Sequence, residues 1–169
     1  PIKKFQEAGV TYELASTHVG VVMGVLGKKA KVNRTFEDVL LSGVDDYYAL
    51  MIVGGPGTQV HLWNNRHLIE LVTIFNTRQK VVAAIDNAPI VVAKAGILKK
   101  KIATVAPGLT VREMMKEDAI IQNKPVVYKD RIVTAMGFEA AEEFASIIIK
   151  YEKGNPEFVP TSGKAGFAF

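Results

Sequence analysis

The sequence predicts an α/β domain of three layers built on a mainly parallel sheet. Short β-branched runs with little polar alternation point to strands buried on both faces. Between them, apolar residues recur at helical spacing, as in helices that pack one face against such a sheet. Strand and helix alternating through short links is the pattern of a doubly covered sheet with right-handed crossovers.

The predicted strands are ALMIV (49–53), VVAAI (81–85), IATV (102–105) and IVT (132–134). Leu68, Leu71, Val72 and Phe75 mark one helix face, and Ala141, Phe144, Ile147 and Ile148 mark another. Two segments read as β-ribbons. VGVVMGVLGKKAKV (19–32) spaces glycines among valines, and VVYKDRIVT (126–134) places Lys129 and Asp130 at a reversal. The last stretch, GNPEFVPTSGKAGFAF (154–169), is rich in Gly and Pro and carries Phe158, Phe167 and Phe169. It reads as a tail whose aromatics are candidates to dock on a neighbouring subunit. The expected organisation is therefore one domain over 1–153 and a tail over 154–169.

Composition narrows the function classes. With 169 residues, 49% of them hydrophobic and 22% charged, the chain suits one globular domain with a real core. No apolar run approaches the roughly 20 residues of a membrane helix, so no membrane partner is expected. No signal-peptide layout is visible and the cysteine count is zero, which makes a cytoplasmic location the simplest expectation. Zero Cys also removes disulfides, thiolate metal sites and thiol nucleophiles. The net charge of +4 is scattered, apart from Lys99, Lys100 and Lys101. Neither zinc-finger spacing nor aromatic and basic interleaving accompanies it, so nucleic acid is not an expected partner.

In an open α/β sheet, ligands bind beyond the carboxyl ends of the strands. Two such ends attract attention. IVGGPGTQ (52–59) puts Gly54, Gly55 and Gly57 after a buried strand, where backbone N–H groups free of Cβ obstruction can bind an oxyanion. A tight turn that needs glycine for its dihedrals accounts equally for these residues. VVAAIDNAPIVVAKAGIL (81–98) ends a strand at Ile85 and opens a helix near Asn87 or Ala88, with Pro89 in the first turn and Gly96 at the close. Asp86 is left on the corner, in the geometry of a nucleophile elbow. Capping of the following helix is the other role that Asp fills well. Asn87 is a candidate ligand donor or a second cap. His61 lies near enough to the glycine turn to line a pocket, but a solvated or partly packed role suits it, His18 and His67 better. Trp63 reads as a rim residue. No histidine spacing suits a metal, and no cofactor motif is present; the GGPG turn lacks the following Lys of a Walker loop.

PIKKFQEAG (1–9), ALMIVGGPG (49–57), VVAAIDNAPIVVAKAGILKKKIATVAPGL (81–109), VVYKDRIVTAMG (126–137) and AAEEFASIII (140–149) together resemble the ThiJ/PfpI superfamily. That group holds parkinsonism-associated deglycase, intracellular protease I and class I glutamine amidotransferase-like domains. The resemblance is collinear over most of the first 150 residues. It implies a flavodoxin-like α/β/α sandwich, and a subunit that forms dimers or hexamers.

The departures matter as much as the match. Catalytic members read AICHGP at the elbow, where this chain reads AIDNAP, so Asp86 stands in place of Cys and Asn87 in place of His. Gly54 and Gly55 retain the family's PGG turn, which helps form its oxyanion site. The family also begins with a strand and a loop that delivers a glutamate beside the cysteine. Here Pro1 opens on the helix that follows them, so the resemblance predicts that the first, central strand lies upstream of Pro1. A carboxylate attacks carbonyls far less readily than a thiolate. Thiol-dependent peptidase, glyoxalase or deglycase activity is therefore expected to be absent. The leading expectation is a silent or repurposed member that binds a small polar metabolite or acts as an oligomeric module. The alternative is a hydrolase that uses Asp86 as nucleophile or base. A family-type activity assigned by homology alone is the third reading.

Overall fold

The longest apolar runs become the middle of a seven-stranded sheet. The computed structural model describes residues 1–24, 27–153 and 164–168. In chain order the elements are α1 (Ile2–Glu7), β1 (Tyr12–Ser16), β2 (Gly20–Met23), β3 (Lys29–Val32), β4 (Arg34–Thr35), α2 (Phe36–Ser42), β5 (Tyr47–Ile52), α3 (Thr58–His61), α4 (Arg66–Thr77) and β6 (Val81–Ile85). There follow α5 (Pro89–Lys94), β7 (Ile102–Ala103), α6 (Leu109–Lys116), β8 (Ile120–Ile121), β9 (Val126–Lys129), β10 (Ile132–Ala135), a 3₁₀ turn (Phe138–Ala140), α7 (Ala141–Lys153) and β11 (Lys164–Ala168).

The main sheet runs β4-β1-β11-β5-β6-β10-β9, parallel throughout except for β9. Every residue of β5 and β6 is buried, as expected of strands covered on both faces. One cover is α2, α4, α5 and α6. In α4, Leu68, Leu71, Val72 and Phe75 are almost wholly inaccessible and join one core cluster with Leu50, Ile52, Val82 and Ala84. Each such side chain contributes about 1.5–3 kcal/mol by leaving water. The other cover is α1 and α7, where Phe5, Phe144, Ile147 and Ile148 meet the opposite faces of β5, β6 and β10. Local chemistry sets the helix starts: Thr35 and Asp38 form a reciprocal capping box at α2, and the Asn65 side chain accepts from the Leu68 N–H at α4. Among the described residues, no helix is long and apolar enough to cross a membrane.

Three sequence expectations change. The stretch 102–105 yields only the two-residue β7, which pairs with β8 in a small separate sheet and leaves the main one. Ile102 is exposed there while Ala103 is buried. The reversal in 126–134 sits at Asp130 and Arg131, both at positive φ (51° and 62°), rather than at Lys129 and Asp130. Such a two-residue turn matches the right-handed twist of the flanking strands. Most consequentially, the position between β1 and β5 holds β11, which comes from the stretch expected to form a tail. It pairs in parallel with β1 from Tyr12–Ala165 to Ala15–Ala168 and with β5 through Ala168–Ile52. A gap there would strand two rows of backbone donors and acceptors in the core, so the slot demands a strand from somewhere. Ala165 and Ala168 are buried there, and a Cβ on Gly166 would make an ordinary contact with the Tyr47 ring at 3.6 Å. Of the tail aromatics, Phe167 lies in this strand, and Phe158 and Phe169 lie outside the described residues.

Candidate functional site

The carboxyl ends of β5, β6 and β10 converge on the corner at Asp86. Ile85 ends β6, and Pro89 opens α5 after Ala88, so the chain must reverse within three residues. Asp86 makes the turn with φ at 66°, a left-handed conformation that Asp tolerates better than most side chains. The backbone is pinned on both flanks. Its N–H donates to the Ala135 carbonyl (2.9 Å) at the end of β10, and its carbonyl accepts from the Ala106 N–H (2.9 Å). The Ala106 segment is itself tied to β10, because the Thr104 N–H donates to Thr134 Oγ1 (2.9 Å) between two buried threonines.

The glycine turn after β5 presses directly against this corner. A Cβ on Gly54 would lie 2.6 Å from both Asp86 Cβ and the Ile85 carbonyl oxygen, so only glycine fits. Gly55 has φ at 140°, which a side chain rarely adopts. Asn87 then fastens the turn: its Nδ2 donates to the Gly55 carbonyl (2.9 Å) and its Oδ1 accepts from the Gly55 N–H (3.1 Å). Trp63 completes the arrangement by donating its indole N–H to the Asn87 carbonyl (3.0 Å).

These contacts revise the expected roles. Asp86 does not cap α5, whose N-cap is Ala88 without a side-chain hydrogen bond. Its carboxyl is half-buried, and burial pushes its pKa above the usual 3.8, partly opposed by the Asn87 N–H on the carboxyl. Asn87 has both ends of its amide engaged by Gly55 and is no cap. The Gly55 N–H is taken by Asn87, which leaves it unavailable to an oxyanion. Gly54 serves close approach. His61 is exposed on α3; its ring lies 3.5 Å from where a Gly57 Cβ would be, and no hydrogen bond joins it to Asp86 or Asn87 among the described residues. His18 pairs with the neighbouring Thr17 hydroxyl (3.0 Å), away from the corner. Among the described residues, no group of three His, Cys, Asp or Glu is arranged to hold a metal ion.

Sequence reasoning missed the part played by Trp63, which is 6% exposed and holds the site from behind rather than rimming it. A lone Trp six residues after GGPG was the available signal. The flanking contributions of Ala106 and Ala135 are made through backbone atoms and leave no trace in residue type.

Comparison with known proteins places these features in a wider set. The model of the DJ-1/PfpI family matches residues 1–151. An uncharacterized protein of Methanocaldococcus jannaschii is 41% identical over 157 residues, covering 92% of this chain and 75% of its own length. Deglycase PfpI of Pyrococcus furiosus is 31% identical over 138 residues, covering 81% and 75%. Among solved structures, a ThiJ/PfpI domain protein from Brachyspira murdochii superimposes with a TM-score of 0.81 at 28% identity, covering 87% of this chain and 82% of that one. Schizosaccharomyces pombe DJ-1, at 16% identity and a TM-score of 0.73, shares the fold.

Proposed function

The chain belongs to the DJ-1/PfpI family, and from that membership we propose a family member without thiol chemistry, in which Asp86 stands at the elbow position of the family's cysteine and binds a small polar ligand. The observation that supports this most is the Asp86 carboxyl itself, presented at the corner between β6 and α5 with its backbone pinned by Ala106 and Ala135. A carboxyl there accepts hydrogen bonds from hydroxyl or ammonium groups, and a chain with no cysteine cannot form the thioester or hemithioacetal of thiol catalysis.

The surroundings favour binding over acyl-transfer chemistry. Stabilising a tetrahedral oxyanion takes preorganised donors aimed at the developing charge. The Gly55 N–H, which the turn would offer, is occupied by Asn87. No histidine reaches Asp86 as a base among the described residues. Self-association into dimers or hexamers belongs to this reading by family resemblance, and a cytoplasmic setting by the lack of a signal-peptide layout and of cysteine in the sequence.

One observation favours a second reading. Burial raises the Asp86 pKa, which suits a general base or a carboxylate nucleophile whose ester is then hydrolysed. Turnover in isotopically labelled water separates the two, since an ester intermediate leaves labelled oxygen in Asp86. Methylglyoxal and peptide substrates should give no turnover with the wild-type protein. A clear rate that disappears in Asp86→Ala would overturn the binding role. A thermal-shift survey of polyols and amines should instead find stabilisers whose effect is lost in Asp86→Ala.

A further inference from the structure

A second concave surface lies at the other side of the sheet. β1 is three strand positions from β6 in the sheet order, about 14 Å at the usual strand spacing. Beside its first residues, the β2–β3 ribbon and the start of α1 enclose a groove of about 560 Å³. Small-molecule sites fall in this size range and combine apolar walls with a few placed polar groups. Here Ile2, Tyr12 and Leu14 supply apolar surface, and Lys29 and Lys31 bring ammonium groups from β3. Residues two apart on a strand share a face, with their Cα atoms about 7 Å apart.

The charge in the groove is unbalanced. Glu13, the acid in its lining, is engaged by the Tyr47 hydroxyl and by Arg34 (3.5 Å). Arg34 is engaged in turn by Glu13, Tyr47, the Asp38 carbonyl and Ser42. Lys29 and Lys31 form no ion pair among the described residues, so the lining carries two uncompensated cations alongside the apolar side chains of Ile2, Tyr12 and Leu14.

We propose that this groove is a binding site for a small organic anion, with a phosphate or carboxylate head held by Lys29 and Lys31 and an apolar body against Ile2, Tyr12 and Leu14. It is separate from the Asp86 site and does not rest on the role given to that residue.

Fluorescence titration of the full chain with 8-anilinonaphthalene-1-sulfonate tests the proposal. Saturable 1:1 binding is expected, displaced by phenyl phosphate but not by inorganic phosphate or phenol at equal concentration. The double variant Lys29→Glu/Lys31→Glu, with unchanged circular dichroism, should weaken the dye at least tenfold. Lys129→Glu/Lys150→Glu makes the same change in net charge elsewhere and should leave the titration unaltered. Asp86→Ala should also leave it unaltered, even where it abolishes ligand effects at the corner. Absence of saturable binding, equal loss in both double variants, or full displacement by inorganic phosphate would each overturn the site.

Discussion

Asn87 grips the peptide of Gly55 at both ends, accepting from its N–H at 3.1 Å and donating to its carbonyl at 2.9 Å. Thirty-two positions separate the two residues in the chain. The bridge locks the loop after β5 onto the loop after β6, and so fixes what stands beside Asp86.

Removing that bridge should loosen the turn without unfolding the domain. Asn87→Ala deletes two hydrogen bonds and leaves two backbone groups in a partly buried place, for an expected loss of about 1–3 kcal/mol. Asn87→Asp keeps an acceptor for the Gly55 N–H but loses the donor, and should fall between the two proteins. Urea unfolding measures the difference; an Asn87→Ala midpoint equal to wild type would mean that the bridge does not hold the turn.

The neighbouring glycines should respond very differently to one added methyl group. Gly54→Ala drives a Cβ to within 2.6 Å of Asp86 Cβ and the Ile85 carbonyl, where backbone must move. Overpacking typically costs 1–3 kcal/mol and more where the obstacle is backbone, so the expected loss is about 3 kcal/mol or failure to fold. Gly57→Ala meets only the His61 ring at 3.5 Å, an ordinary contact, and should stay within about 1 kcal/mol of wild type. Comparable melting temperatures for the two variants would contradict the close approach at Gly54.

The contrast between these sites and the sheet shows what residue order reveals. Val81–Ile85 and Ala49–Val53 are legible because unbroken apolar runs need two covered faces, and the Asp86 corner follows from where one run stops. β11 is not legible: Lys164–Ala168 mixes Gly and Ala, which have weak strand preference, and its place is decided by the vacancy between β1 and β5. The segment at Ile102 misleads in the opposite direction, since β-branched residues signal a strand without saying which sheet it joins. Asn87 and Gly55 each stand out in the sequence, but their pairing is a long-range contact that no local spacing encodes.

The Tyr47 hydroxyl donates to Glu13 and accepts from Arg34 (3.0 Å), and burial followed by the hydrogen bond to Glu13 pushes its pKa to about 12. A proton held more tightly in the folded state than in the unfolded one contributes stability below the unfolded value near 10, and that contribution is lost as pH rises through about 12. Tyr47→Phe should therefore be less stable by about 1–2 kcal/mol at neutral pH, with the gap closing in strong alkali. Ultraviolet titration should show a late phenol in wild type that is missing from the variant; loss of no late phenol would place the raised group elsewhere.

Asp86 gives a pH dependence in acid. Its folded pKa is raised above 3.8, so the stability it contributes is full below that value and is lost as pH rises through the raised folded value. Asp86→Asn keeps the shape and the tolerance for positive φ without the charge. It should melt higher than wild type near neutral pH, and the difference should vanish toward pH about 3.8. A constant difference from acid to neutral pH would show that the carboxylate is as well accommodated at the corner as in water.

Asp86→Cys asks whether the acid alone accounts for the missing thiol chemistry. The chain has no other cysteine, so iodoacetamide should modify one site in the native protein, and mass spectrometry locates it directly. The corner exposes the side chain enough for alkylation, but Asn87 is neutral and both ends of its amide are committed to Gly55, so no base stands ready to form the thiolate. Alkylation without methylglyoxal or peptide turnover is the expected outcome. Adding Asn87→His supplies a base but removes the bridge, so Asp86→Cys/Asn87→His should lose the stability predicted for Asn87→Ala while gaining a thiol of lower pKa, read from the pH dependence of alkylation. Turnover by Asp86→Cys alone would mean that the glycine turn still serves the chemistry, and that its occupation by Asn87 is no barrier.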